Sequence, residues 1–261
     1  MRLLFLGDVV GKPGRRAVVE AVPHFLATAD VDLVIANCEN ASGGVGVDPR
    51  AASELLKAGV DVLTSGNHIW AKRDIVEYLR DSDVLLRPLN FVPGSPGRGF
   101  TVKRSRSGID VAVVNLIGRV FMGNYECPFR AIDAALESLR GRARVVIVDM
   151  HAEATSEKTA MGWYLDGRVS AVIGSHTHVQ TADERVLPDG TAYLSDAGMC
   201  GPRDSVIGVK RELVLDRFLR QMPVRFEVAA GPALLQGALV DVDETNGRAR
   251  SIVRVQQTVE V

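Results

Sequence analysis

The chain has 261 residues, 46% of them hydrophobic and 24% charged, with a formal net charge of −1. This composition suits a globular protein with a large core and excludes intrinsic disorder. Lysine and arginine are scattered and form no run, so no footprint for duplex nucleic acid is visible, and no stretch reaches the ~18 continuous apolar residues of a membrane span.

The N-terminal MRLLFLGDVVGK is apolar until Asp8 interrupts it, and no small-residue cleavage site follows. It reads as a first strand and not as a signal peptide. Cys38, Cys127 and Cys200 are odd in number and far apart, which suits a reduced interior and predicts a cytoplasmic protein.

In chain order, apolar β-branched runs alternate with helical patterns. RLLFLGD predicts a strand, and GRRAVVEAVPHFLATA a helix that Pro23 should kink or shorten, with His24 a helix-surface or packed residue. DLVIANCEN and DVLTSGNH predict strands on either side of the helix PRAASELLKAG, and KRDIVEYLRD a further helix. DVAVVNLIG is a strand that ends without an obvious ligand. RAIDAALESLRG and TSEKTAMGWYLDG predict helices around the strands RVVIVDMHAE and AVIGSHTH. In the tail, ALVDVDETNGRARSIVRVQQ places a turn signal at Asn246-Gly247 between two alternating runs, the pattern of a β-hairpin.

The runs are apolar at successive positions, so their strands are covered on both faces. The fold class is therefore α/β: layered, with central mixed β-sheets forming a sandwich flanked by helices. Residues 1–261 show no linker or repeat and are expected to form one domain.

Five of these runs stop at a polar residue able to bind metal: Asp8, then Glu39 and Asn40, then Asn67 and His68, then His151, then His176 and His178. Sites in α/β sheets form where the carboxyl ends of strands meet the following loops. Singly, each residue has a structural alternative: a cap for Asp8, an Asx-turn for Asn67, a solvated acid for Glu39. Together, carboxylate, amide and imidazole match the ligands of divalent first-row metals. They exceed what one four-coordinate zinc uses, so two ions fit better, and Glu39 is by elimination the best bridging anion.

GD after the first strand, GNH after the third, a later lone histidine and GSHTHV together resemble the calcineurin-like metallophosphoesterase superfamily. LGDVVGKPGR, NCENASGG, TSGNHIW and SDAGMCGP resemble more closely its YmdB-type branch of bacterial phosphodiesterases, over essentially the whole chain. The superfamily's Asp-X-His is here Asp8-Val9-Val10, and its bridging Asp is replaced by Glu39-Asn40; the branch is similar in both respects. The resemblance implies one ion held by Asp8, Glu39, Asn40 and His178, and another by Glu39, Asn67, His151 and His176. It further implies that His68 lies near the leaving group as a general acid and binds no metal.

The implied activity is a dinuclear-metal phosphodiesterase acting on cyclic nucleotides, including 2',3'-cyclic forms, or related small phosphodiesters. Its ions would be divalent or mixed-valence, iron or manganese first, with zinc also fitting. A metal-bridging hydroxide would attack phosphorus while His68 supplies a proton. The expected partner is a small phosphodiester or nucleotide, with no duplex nucleic acid and no membrane, and homo-oligomerisation is left open. Loops 118–130 and 198–208 are candidates for substrate contact. Two other readings compete. An amidohydrolase normally carries its His-X-His after the first strand and not late in the chain, whereas a non-catalytic, metal-dependent nucleotide- or phosphate-binding regulator could use the same ligands.

Overall fold

The computed structural model describes residues 1–260. The order of elements is β1 (Arg2–Leu6), β2 (Asp8–Val9), α1 (Gly11–Thr28), β3 (Val31–Asn37), α2 (Pro49–Lys57), β4 (Val62–Thr64), a 3-10 turn (Ile69–Ala71) and α3 (Ile75–Asp81). There follow β5 (Phe100–Arg104), β6 (Asp110–Ile117), α4 (Pro128–Leu139), β7 (Val145–His151), α5 (Thr155–Tyr164) and β8 (Ala171–Ser175). The chain continues through β9 (Arg185–Val186), β10 (Ala192–Leu194), β11 (Met199–Pro202), α6 (Arg211–Arg220), β12 (Ala233–Val242) and β13 (Ala249–Val259).

Two mixed sheets result. One runs β2-β11-β12-β1-β3-β4, with β13 paired to the far side of β12, and the other β5-β6-β7-β8-β10-β9. β1, β3 and β4 are mutually parallel, as are β6, β7, β8 and β10. The predicted tail hairpin forms and turns at Gly247, whose φ of 78° suits glycine. Its first strand inserts antiparallel beside β1, Leu4 opposite Leu239, which makes that sheet mixed.

Side-chain alternation along each strand divides the apolar residues among layers. Leu3 and Phe5 of β1 join Leu33, Ile35, Val113, Ile147 and Ile173 in a core between the two sheets. Their neighbours Leu4 and Leu6 pack outward with Val18, Val22, Leu55 and Leu79 of α1, α2 and α3. On the opposite flank Val114, Val148 and Val172 pack on Ile132, Leu139 and Met161 of α4 and α5. The order of layers is helix, sheet, sheet, helix, and it explains why the strand sequences are apolar at successive positions.

Local signals set several boundaries. Asp48 caps α2, its carboxylate accepting the Ala51 N–H at 2.9 Å, with Pro49 in the first turn. Pro23 does not shorten α1, which continues to Thr28. Pro23 and Val19, the residue whose carbonyl it deprives of a donor, both lie on the exposed face, where water can replace the lost hydrogen bond. His24 is exposed, the surface placement of the two the sequence left open. α6 went unread in the sequence because only its Val214 is buried, leaving no apolar stripe to mark it. No helix among the described residues is long and apolar enough to cross a membrane.

Candidate metal centre

The carboxyl ends of β1, β3, β4, β7 and β8 open at one rim, and these ends with the turns after them bring together Asp8, Glu39, Asn40, Asn67, His68, His151, His176 and His178. The bottom of the site is built from Asp8, Glu39 and His151, all fully buried. Asn40 is buried beside them, whereas His68, with 38% of its side chain exposed, lines the cleft above. This cleft, of about 410 Å³, is bounded by Glu39, Asn40, His68, His176 and His178 and by an apolar wall that includes Val10, Ile207 and Phe226.

Glu39 stands between two groups of candidate ligands. Its Oε1 is 3.2 Å from His151 Nε2 and accepts from Asn40 Nδ2 at 3.3 Å, while Oε2 accepts the His68 backbone N–H at 3.0 Å. Toward one side lie His151, Asn67, whose Oδ1 is 3.3 Å from His151 Nε2, and His176. On the other side, His178 Nε2 is 3.1 Å from Asn40 Nδ2 and 3.8 Å from Asp8 Oδ1. Glu39, His151 and His176 each offer a ligand atom within 4.8 Å of the others. The two late histidines thus face different partners. Both adopt left-handed backbone conformations, φ 102° at His176 and 64° at His178, a strain of about 1–3 kcal/mol each.

Asp196 and Asp8 hold this strained turn. Asp196 Oδ2 accepts the Thr177 N–H and hydroxyl at 3.2 and 2.8 Å and pairs with buried Lys158 at 2.6 Å. Asp8 Oδ2 accepts the His176 N–H at 3.0 Å. Asp8 Oδ1 is buried with no hydrogen-bond partner, 3.8 Å from His178 Nε2 and 3.9 Å from His151 Nδ1, and this burial pushes the carboxyl's pKa up.

Hydrogen bonds beyond the ligands fix the imidazole tautomers. Asp149 accepts from Asn37 Nδ2, Thr64 Oγ1 and Ser175 Oγ. Burial pushes its carboxyl up to about 6, against the pull of His151, Ser175 and Thr64, so it is ionised at neutral pH. Because Ser175 spends its hydrogen on Asp149, it must accept from His151 Nδ1–H, 2.8 Å away, leaving the Nε2 lone pair facing the cluster. His178 Nδ1–H donates to the Ile207 carbonyl at 2.9 Å, which frees its Nε2 toward Asp8 and Asn40. At His176, Nε2 lies 3.2 Å from Glu153, and Nδ1 points inward, 3.1 Å from His151 Nε2.

Two ring nitrogens freed by their outer bonds therefore meet over a buried carboxylate. Burial opposes charge on His151, yet Glu39 first, then Asp8 and Asp149, raise its pKa to about 9. Burial and the His151 charge push His176 down to about 3. Such a centre favours positive charge between these groups, which a cation can supply. Gly66 keeps the space open, since a Cβ there would strike His151 Nε2 and Glu39 Oε2. The donor set fits divalent metal ions.

One detail departs from the expected ligand roles. Asn40 turns its amide nitrogen to Glu39 and His178 and its oxygen to His68 Nδ1, 2.8 Å away. An amide ligates through oxygen, so Asn40 would bind after a half-turn of its carboxamide.

The sequence did not single out Asn37, Asp149, Glu153, Lys158, Ser175 or Asp196. Asp149 carried a local signal, since it precedes His151 by two positions on one strand and shares its face. Of the two candidate loops, 198–208 contributes Ile207 and Gly208 to the cleft. Loop 118–130 instead lines a separate hollow with Glu157.

The family profile described as YmdB-like protein matches residues 4–255. The 2',3'-cyclic-nucleotide 2'-phosphodiesterase of Bacillus subtilis (strain 168) is 46% identical over 255 residues, covering 98% of this chain and 96% of that protein. The crystal structure of a hypothetical protein from Thermus thermophilus superposes with a TM-score of 0.93 at 43% identity, covering 99% of each chain. A novel phosphatase from Mycoplasma pneumoniae superposes with a TM-score of 0.92 at 33% identity, over 100% of this chain and 94% of that one.

Proposed function

Because the chain belongs to the YmdB-like protein family, we propose that it is a metal-dependent phosphodiesterase that hydrolyses 2',3'-cyclic nucleotides or closely related small phosphodiesters. One observation carries this reading: His151 Nε2 and His176 Nδ1 meet at 3.1 Å above buried Glu39, their outer nitrogens tied to Ser175 and Glu153. That arrangement is unfavourable for imidazoles alone and suited to a cation.

Asp8, Glu39, Asn40 and His178 would hold one ion, and Glu39, Asn67, His151 and His176 the other. When bound, such a pair supplies Lewis acidity and a nucleophilic hydroxide near neutral pH. Iron or manganese is the first expectation. The buried carboxylates Asp8 and Glu39 offset part of the ions' charge and leave the cleft attractive to a phosphate. Water's oxygen bonds to phosphorus, one ribose P–O bond breaks, and the departing oxygen takes a proton, giving a phosphomonoester. His68 is placed to deliver that proton: once the Asn40 oxygen turns to an ion, its Nδ2 faces His68 Nδ1, and the imidazole then carries its hydrogen on Nε2, toward the substrate. Val10, Ile207 and Phe226 give the base an apolar wall.

Since the site draws ligands from both sheets, residues 1–261 are read as one domain. The free cysteines, Cys38 and Cys200 buried, suit a cytoplasmic setting.

The test is hydrolysis of 2',3'-cyclic and 3',5'-cyclic nucleotides, an aryl phosphodiester and a phosphomonoester, with manganese, iron or zinc supplied in turn. Diester hydrolysis that chelation abolishes and metal restores is expected. Tight binding of cyclic nucleotides without turnover would replace this reading by the regulator, and hydrolysis of the monoester alone by a phosphatase.

A further inference from the structure

Beside the metal cleft lies a larger cavity of about 1110 Å³, and the two share Gly43 and Val228 on their common rim. Its lining is basic. Lys12 comes from the start of α1, Arg50 from the first turn of α2, and Lys72 and Arg73 from the turn before α3. None of these four has a carboxylate within ion-pair distance among the described residues, whereas Arg15 behind them is paired with Glu54 at 2.7 Å. The acids in the lining are Asp48 and Asp74, and Asp48 has turned its carboxylate to cap α2. Four unpaired cations from three separate segments, on a chain of net charge −1, are a local concentration of positive charge that composition does not explain.

The cavity is also larger than the ~300–1,000 Å³ typical of sites for one small ligand. A cyclic nucleotide fills the metal cleft with its single phosphate and leaves these cations without a partner. A chain of phosphates entering along the shared rim would engage them, while the cleft of about 410 Å³ admits one unpaired terminal nucleotide and no duplex end.

We propose that this cavity is a phosphate subsite for a short single-stranded oligonucleotide whose 2',3'-cyclic end occupies the metal cleft. The proposal rests on the phosphodiesterase reading and extends it from a mononucleotide to the end of a strand. Lys12, Arg50, Lys72 and Arg73 bind backbone phosphates without reading bases, so the preference is for chain length and not for sequence.

The experiment compares kcat/KM for a 2',3'-cyclic mononucleotide, the same nucleotide carrying a 5'-phosphate, and a dinucleotide and a tetranucleotide with 2',3'-cyclic ends. In parallel, a tetranucleotide ending in a 3'-phosphate is titrated by fluorescence anisotropy across salt concentrations. The expected result is a kcat/KM about tenfold or more higher for the tetranucleotide than for the mononucleotide. In an Arg50→Ala/Lys72→Ala variant that ratio should collapse toward one, and the slope of log affinity against log salt should become shallower by about 0.7 for each cation removed. Equal kcat/KM at every length, or a ratio unchanged in the variant, would overturn the proposal. So would a 5'-phosphate that alone supplies the whole gain, since the cavity would then read a mononucleotide. If no diester is cut at all, the phosphodiesterase reading fails, and the salt-dependent titration still decides for or against the subsite.

Discussion

Ser175 Oγ donates to Asp149 at 2.6 Å and accepts from His151 Nδ1 at 2.8 Å, so a serine outside the proposed ligand set decides which histidine nitrogen faces the centre. Replacing Ser175 with Ala leaves the His151 tautomer free. Metal affinity should fall roughly 10- to 100-fold with the fold retained, as for other partners of ligating histidines. Metal titration of the purified variant checks this, and unchanged affinity would rule out the orienting role.

Gly66 is a steric requirement of the same centre. In Gly66→Ala the new methyl would overlap His151 Nε2 and Glu39 Oε2, and relief requires moving buried ligands. We expect loss of bound metal and of turnover with a near-native circular dichroism spectrum. A variant that keeps its full metal content would show that the ligands are spaced differently.

His68 sits at the cleft surface with its Nδ1 against Asn40, outside the proposed ligand set. His68→Ala should keep its metal and lose about 10²- to 10⁴-fold in kcat, the usual contribution of a general acid. Metal analysis beside steady-state kinetics separates the outcomes: full activity rejects the proton-donor role, and lost metal makes His68 a ligand.

Lys158 and Asp196 form a buried pair whose carboxylate also carries the turn between His176 and His178. Lys158→Met leaves that carboxylate buried without its cation, so stability should drop by about 3–5 kcal/mol. Adding Asp196→Asn should recover part of the loss in a denaturant titration. The single variant should also bind metal more weakly, because the strained backbone at both histidines loses its anchor. A loss of stability with unchanged metal affinity would confine the pair to a packing role.

Much of the fold was legible because its signals are local and periodic. The apolar runs that became β1, β3, β4, β6, β7 and β8, the Asp48 cap of α2 and the Asn246-Gly247 turn each depend on neighbours within a few positions. Pro23 did not shorten α1, for the complementary reason. Its cost depends on whether its face of α1 meets solvent or core, which the local sequence does not encode.

The sequence by itself determined which residue types end the strands, and so the chemistry available at the rim: Asp8, Glu39, Asn67, His151, His176 and His178 were all named from their positions after apolar runs. Tertiary structure alone decided which atoms of those residues face one another. The bond from His176 N–H to Asp8 spans 168 positions, and strand register sets it, through two sheets stacked about a shared core. The same holds for Lys12, Arg50, Lys72 and Arg73, scattered along the chain and gathered on one wall by the packing of α1, α2 and the turn before α3. Periodicity reports which face a residue occupies. The approach of two faces depends on how whole layers pack, and no short window of sequence contains that information.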